Sequence, residues 1–422
     1  MTGTNDIPAG PSDATPRGVE TVPLDLSMTG LRRVFPAGMR RRWWLFRAFD
    51  LIARHWPISR PRRGALVVRM DGIGDMVLFR RSLDHYVEAL GLQPEDITVL
   101  GCDSWRGIAG DIFGGTRVIT IDEHAFARRP FYRFKVALMV RKLAPEVVLC
   151  DSYFRRALMA DSLVWLTGAP KTVVSLPHVS RRVRPEFSYY LGQVSEVIDT
   201  GPYPTHEVVR HARFVSALAG RTIDPSPPVV NWPDRRPTFA ENGTAYAVLT
   251  PGSNEPGRRW PFAGYVALAR RLRSRGLRVA VVGKPDERYD AEALAALVQE
   301  DGVEDFTGRT TLADLMDLMK HADLVVSNDT GPAHLAIALG TPTVVVIGGG
   351  HFESFVPYPE GVRPAHARFV HHEMECYHCF WLCHKREDAR DSFPCVAAVG
   401  EDGVWDACGE LLGAGRAESG EP

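Results

Sequence analysis

Short runs of apolar, β-branched residues alternate with helix-period stretches over most of the chain. The first series is ALVVRM, DITVLGC, RVITID, EVVLCD and KTVVSL, and the intervening stretches predict helices near 76–90, 131–143 and 155–168. This alternation argues for an α/β fold with a parallel, doubly wound sheet. A helical stretch, THEVVRHARFVSALAG, leads into the Pro-rich segment RTIDPSPPVVNWPDRRPT, which breaks the pattern. A second series follows: YAVLTPG, RVAVVG, LVVSND and TVVVIGG, with helices near 261–275, 288–299, 311–321 and 332–340. Two domains are therefore expected, 64–220 and 240–413, with the boundary between about 205 and 240. Ligands in open α/β sheets bind beyond the carboxyl ends of strands, so the loops after ALVVRM, YAVLTPG, RVAVVG and LVVSND should line a cleft between them.

Composition adds two constraints. Of 422 residues, 45% are apolar and 24% charged, ordinary for a soluble globular protein. No run approaches the ~18 apolar residues of a membrane span, and the start lacks a signal-peptide layout. A cytoplasmic protein is expected, or one peripheral on the inner face of the cytoplasmic membrane. Residues 1–28, rich in Pro, Thr, Gly and Asp, read as a disordered leader, and the tail after about 413 reads likewise. The formal charge of −1 hides an asymmetry, because residues 29–63 hold ten Arg against one Asp. That segment interleaves arginine with Trp43, Trp44, Phe46, Phe49 and Trp56. Such a basic, aromatic, amphipathic stretch suits an anionic membrane surface, or equally a helix that packs its aromatic face on the protein itself. No nucleic-acid partner is expected, and oligomerisation is left open.

Three loops of the second series carry groups suited to a nucleotide diphosphate. In LTPGSNEPGRRWP a strand ends near Ser253, Arg258 and Arg259 offer charge-assisted donors, and Pro261 opens a helix. In VVSNDTGPAHLAIALG a buried strand delivers Asp329, Thr330 and Gly331 to a helix beginning at Pro332, whose free amides and dipole favour an anion. Helix capping alone would also explain Asp329. In VAVVGKPDERYD, Gly283 and Lys284 precede Asp286 and Glu287, carboxylates able to hold ribose hydroxyls, although this is also ordinary turn chemistry. The loop after the first strand, RMDGIGDMVLFRRSL, differs in carrying two acids, Asp71 and Asp75, beside Gly72 and Gly74. Acid repels phosphate, so this loop is expected to face something else, unless Asp75 merely caps a helix starting at Met76.

In order along the chain, RMDGIGDMVLFRRSL, PGSNEPGRRWP and FTGRTTLADLMDLMKHADLVVSNDTGPAHLAIALGTPTVVVIG resemble the family-9 glycosyltransferases, the ADP-heptose heptosyltransferases. The resemblance runs from about Leu66 to about 410 and is strongest in the second domain. It implies the GT-B fold, two Rossmann-like domains facing across a cleft, with donor nucleotide in the C-terminal one and acceptor in the N-terminal one. It implies an inverting transfer of a heptose or related sugar from an ADP-sugar to a glycan, lipopolysaccharide-core, lipid-linked or protein acceptor, with no cofactor required. Carried onto this chain, Asp75 is the expected general base, with Asp71, Gly72 and Gly74 on the acceptor side. Ser253, Arg258, Gly283, Lys284, Glu287, Asp329, Thr330, Gly331, Pro332 and His334 are the expected donor-binding set. The family usually has Lys where this chain has Arg258, a fork in place of a point charge. Two other readings stand beside it: a catalytically silent nucleotide-sugar-binding scaffold, and a GT-B enzyme using a UDP- or GDP-sugar.

Four of seven cysteines fall in CYHCFWLCHKREDARDSFPC, as Cys376, Cys379, Cys383 and Cys395. Their spacing suits a structural zinc or iron site, and 376–395 is expected to form a small cysteine-rich insertion. Reduced thiols and disulfides are the alternatives. Among relatives that modify autotransporters, a cysteine-ligated iron finger is found, which favours the metal.

Overall fold

The computed structural model describes residues 21–27, 30–240, 243–285, 287 and 291–418. It contains two six-stranded sheets, parallel throughout. The first comprises β1 (Ala65–Arg69), β2 (Ile97–Cys102), β3 (Arg117–Ile121), β4 (Val147–Cys150), β5 (Lys171–Ser175) and β6 (Glu196–Ile198), in the order β3-β2-β1-β4-β5-β6. The second comprises β7 (Tyr246–Thr250), β8 (Arg278–Val281), β9 (Val303–Asp305), β10 (Leu324–Asn328), β11 (Thr343–Val346) and β12 (Ala367–Val370), in the order β12-β11-β10-β7-β8-β9. Each has the doubly wound order, so the strand order reverses between β1 and β4 and between β7 and β10. Crevices open at those two points, and the loops singled out above leave the carboxyl ends of the strands beside them. Strands β1, β7 and β10 are buried at every position, as expected where helices cover both faces.

Five helices carry the residues described below. They are α1 (Arg41–Arg54), α2 (Ile73–Leu90), α3 (Pro130–Leu143), α4 (Glu207–Ala219) and α5 (Gly331–Leu339). The halves share apolar packing, since Leu78 of α2 and Val208 of α4 join Ala333 and Ile337 of α5 in one buried cluster. No helix among the described residues is long and apolar enough to cross a membrane.

Several expectations shift. The helix expected over 155–168 is confined to Ala160–Thr167, because Arg155 is drawn into a buried pair with Asp161 and donates to the Ser175 carbonyl. The final helix extends to Glu418, past the expected end near 413, since Leu, Ala, Arg and Glu continue it readily. Of the expected leader, residues 1–20 and 28 lie outside the described residues. Within 21–27, the Val22 amide donates to the Val179 carbonyl, and Val22 and Leu24 pack on the first half's core. Helix α1 buries Trp43, Phe46 and Ala53, and its Asp50 meets Arg133 of α3 at 2.7 Å. One aromatic face of the basic segment thus belongs to the domain core.

Candidate functional site

The β1 loop turns directly into α2, which begins at Ile73, three residues before the expected start. Asp75 therefore sits inside the first turn, while Gly72 occupies the N-cap position without any side-chain cap bond. Simple N-capping does not account for Asp75. Its carboxylate accepts from the Gly72 and Asp75 amides, and it keeps partial solvent access at the crevice. Desolvation by surrounding protein, then the negative charge of Asp71, push its carboxyl up to about 7, against the pull of Arg69.

Behind it lies a polar network that the sequence motifs do not announce. Arg69, the last residue of β1, is 1% exposed and pairs with Asp71 at 2.8 Å and Asp151 at 2.5 Å. Asp71 also accepts from the Ser152 hydroxyl at 2.7 Å, while its Oδ1 is buried without a hydrogen-bond partner. Asp151 accepts from Tyr86 at 2.7 Å and faces His211 Nδ1 at 2.9 Å. Burial works to raise the Asp151 carboxyl, but Arg69 and His211 hold it well below the usual carboxylate range. Glu207, at the start of α4, is pushed up to about 8 by burial. The outcome is a fixed cation and a fixed anion beneath a carboxyl that titrates near neutrality. The available signal was a charged residue directly after an apolar run: Arg69 follows ALVV and Asp151 follows VVLC.

The second half brings its loops against this one. A Cβ added to Gly74 would lie 2.7 Å from His334 Cδ2, so only glycine lets the α2 and α5 starts come this close. His334 is buried, with Nε2 3.9 Å from Asp329 and Nδ1 3.4 Å from the Tyr358 hydroxyl. It thus lies at the junction of the two loops, and burial pushes its imidazole down to about 4. Thr330 is the N-cap of α5, but its hydroxyl turns to the Asn328 carbonyl, so no side chain caps that end. Pro332 falls in the first turn of that helix. Asp329 is instead held by Arg258, whose guanidinium meets its carboxylate at 2.8 Å and stacks 4.9 Å from the Trp381 ring.

Around β7 and β8, the Ser253 hydroxyl accepts from the Glu255 amide and its carbonyl from Arg259. Lys284 donates to Asn254 at 2.6 Å, and Gly283 accepts from the Gly308 amide. Glu287 accepts from the Lys284 amide at 2.9 Å and lies against Gly252, where a Cβ would fall 1.9 Å from its carboxylate. Asp286 lies outside the described residues. The structure thus gathers Arg258, Asp329, Thr330, Gly331 and His334 at one crevice facing Gly74 and Asp75. Ser253, Lys284 and Glu287 flank it on the neighbouring strand ends.

Cys376, Cys379, Cys383 and Cys395 line one small cavity with Trp381 and Phe393, and all are free of disulfides. Cys395 accepts weakly from the Gly349 amide at 3.4 Å. Burial pushes the Cys379 and Cys395 thiols up. Among the described residues, no group of three or more His, Cys, Asp or Glu has the mutual placement of a metal site.

Residues 181–380 match the family described as Glycosyltransferase family 9 (heptosyltransferase). Lipooligosaccharide heptosyltransferase 2 of Haemophilus influenzae is 34% identical over 96 residues, covering 22% of this chain and 28% of that protein. The chain spans less than half the length of the curated relatives it matches. Among solved structures, E. coli heptosyltransferase WaaC with ADP-2-deoxy-2-fluoro heptose has a TM-score of 0.58 at 16% identity, covering 82% of this chain and 99% of that one. TibC of enterotoxigenic E. coli, an iron-containing dodecameric glycosyltransferase, has a TM-score of 0.50 at 13% identity, covering 85% and 78%. These structural likenesses establish the fold, two doubly wound halves of GT-B type. The matched segment and its sequence relatives make residues 181–380 similar to glycosyltransferase family 9.

Proposed function

We propose that the protein is an inverting glycosyltransferase that moves a heptose, or a closely related sugar, from an ADP-sugar to a hydroxyl of a lipopolysaccharide-core glycan or other glycan, lipid-linked or protein acceptor. The observation that carries the proposal is the position of Asp75, a carboxyl raised to about 7 that faces the start of α5 across a contact only glycine permits. Residues 64–220 would hold the acceptor and 240–413 the donor. Asp75 takes the proton of the acceptor hydroxyl as its oxygen bonds to C1 of the sugar, and the bond from C1 to the diphosphate breaks. Charge then grows on the departing ADP, where Arg258 and the open amides of α5 can stabilise it. Asp71, on the acceptor side of the same loop, would hold that loop in place through Arg69 and Ser152. The WaaC structure carries an ADP-sugar analogue, and TibC has also been solved with ADP-D-β-D-heptose. The setting proposed is the inner face of the cytoplasmic membrane.

Mass spectrometry of reactions with ADP-heptose, UDP-sugars and GDP-sugars tests the donor. Transfer from ADP-heptose is expected, and transfer only from a UDP- or GDP-sugar would overturn that assignment. In calorimetry, Arg258→Ala should weaken ADP binding about tenfold or more, the loss of one charge-assisted hydrogen bond. Unchanged ADP affinity would remove Arg258 from the donor site.

Four soft thiols around one small space, none tied in a disulfide, have the donor chemistry for a metal, although as placed they do not form a metal site. Cys376, Cys379, Cys383 and Cys395 would hold zinc or iron as a structural brace, with no part in transfer. TibC is iron-containing. Elemental analysis of the purified protein should find about one metal per chain, and substoichiometric zinc and iron together would rule the site out.

A further inference from the structure

Six of the ten large apolar side chains left exposed among the described residues fall between Val34 and Trp56, and a seventh is Phe131 on α3. Such concentration is unusual, because single exposed apolar residues are normally scattered. On α1, Trp44, Ala48 and Ile52 follow one another at four-residue spacing, and Trp56 continues the row just past the helix end. They lie opposite Trp43, Phe46 and Ala53, which are already buried. The helix therefore has two apolar faces, one of them used by the core and the other open.

The open face continues sideways. Phe49, on the flank of α1, sets its ring 6.3 Å from Phe131 and 6.0 Å from Phe134. These two rings and Leu138 floor a groove of about 570 Å³, rimmed by Arg117, Lys135 and Lys142. Phe131 is 83% exposed. No acidic residue lines the groove, and its rim cations form no ion pair among the described residues. Arg41 and Arg42 are exposed at the start of α1, whose one carboxylate, Asp50, is buried against Arg133. The whole face is thus apolar in the middle, cationic around the edge and without negative charge.

We propose that this face, the outer side of α1 with the α3 groove, docks the protein on an anionic bilayer surface. Trp44, Ile52, Trp56 and Phe131 would enter the boundary between headgroups and acyl chains, and the groove would take apolar chain from a lipid. Arg41, Arg42, Lys135 and Lys142 would meet lipid phosphates. Phe131 stands in the first turn of α3, which returns from the carboxyl edge of the sheet. Its end of the groove therefore lies toward the edge that carries the Asp75 loop, so a docked protein presents the acceptor side of the crevice toward the membrane. The docking extends the membrane setting proposed for the enzyme and rests on it, but not on the identity of the donor or the base.

The test uses the full chain in co-sedimentation with vesicles of phosphatidylcholine alone and of phosphatidylcholine with phosphatidylglycerol. Binding is expected only to the anionic vesicles, weakening as salt is raised. The pair Lys135→Glu and Lys142→Glu, and separately the pair Ile52→Ser and Phe131→Ser, should each reduce it about tenfold or more. All four positions lie outside the crevice, so melting curves and sugar transfer to a soluble acceptor should match the parent. Equal binding to both vesicle types, or undiminished binding by both variant pairs, would overturn the docking. So would a sizing column showing that the Ser pair dissociates a dimer while the parent ignores vesicles, which would assign the face to a second copy. Loss of transfer with vesicle binding intact would instead count against the transferase reading alone.

Discussion

Asp75→Asn should reduce sugar transfer by about 10²–10⁴-fold, the span of a lost general base, while ADP still binds. The amide has nearly the shape of the carboxylate but cannot accept the acceptor's proton. The parent enzyme should also show an acid limb in kcat/KM, with activity rising through about pH 7 as Asp75 ionises. That limb should be missing from whatever activity the variant retains. Stability should move the opposite way. Burial and the Asp71 charge raise the folded carboxyl to about 7, so its protonated form is the one the fold prefers. The stabilisation from that proton is complete below about pH 4, where even the unfolded carboxyl is protonated. It is lost as pH rises through about 7. Melting temperatures of the parent should therefore fall over that interval relative to Asp75→Asn. Transfer at the parent rate by the variant would remove Asp75 from catalysis. Absence of transfer by the parent itself, with ADP still bound, would favour the silent scaffold.

The alternation of apolar runs with helical stretches was enough to recover both sheets because their central strands are buried throughout. An uninterrupted apolar run such as ALVVR or LVVSN has little other use in a chain of this composition. The strands it did not disclose, β6, β9 and β12, all lie toward an outer edge and are three or four residues long. Glu196–Ile198 and Val303–Asp305 carry exposed acids, so neither makes an apolar run. The loops proposed for the donor could be singled out because each leaves the carboxyl end of a strand, and the strand order brings β7, β8 and β10 side by side. The network beneath Asp75 was not. Arg69 and Asp151 are 82 positions apart, and their pairing depends on β1 and β4 being neighbours. Local reading also placed Asp75 before its helix, because Gly72 and Gly74 look like loop residues, whereas Gly74 is kept small by His334 of the other half. Composition could not divide the aromatic residues of α1 between its two faces, since both are apolar.

Asp50→Ala should destabilise the N-terminal half by about 3–5 kcal/mol, the usual result of removing one member of a buried ion pair. Arg133 Nε and Nη2 meet both Asp50 oxygens, at 2.9 and 2.7 Å. Its third nitrogen donates to the Leu158 carbonyl at 2.9 Å, and its guanidinium lies 4.7 Å from the Phe46 ring and 4.4 Å from that of Phe126. Without Asp50 that cation stays enclosed and loses its counter-charge. Thermal unfolding should shift down by roughly 10 °C for a domain of this size. The double variant Asp50→Ala with Arg133→Leu separates the pair from the packing around it. It should recover much of the loss, because neither charge is then buried alone. If Asp50→Ala melts with the parent, α1 is a loosely held arm. A large loss, relieved in the double variant, makes α1 part of the fold, so removing residues 1–60 would unfold the half and could not report on membranes. Point changes on the outer face of α1 then become the valid test of the proposed docking, because that face is a rigid part of the fold.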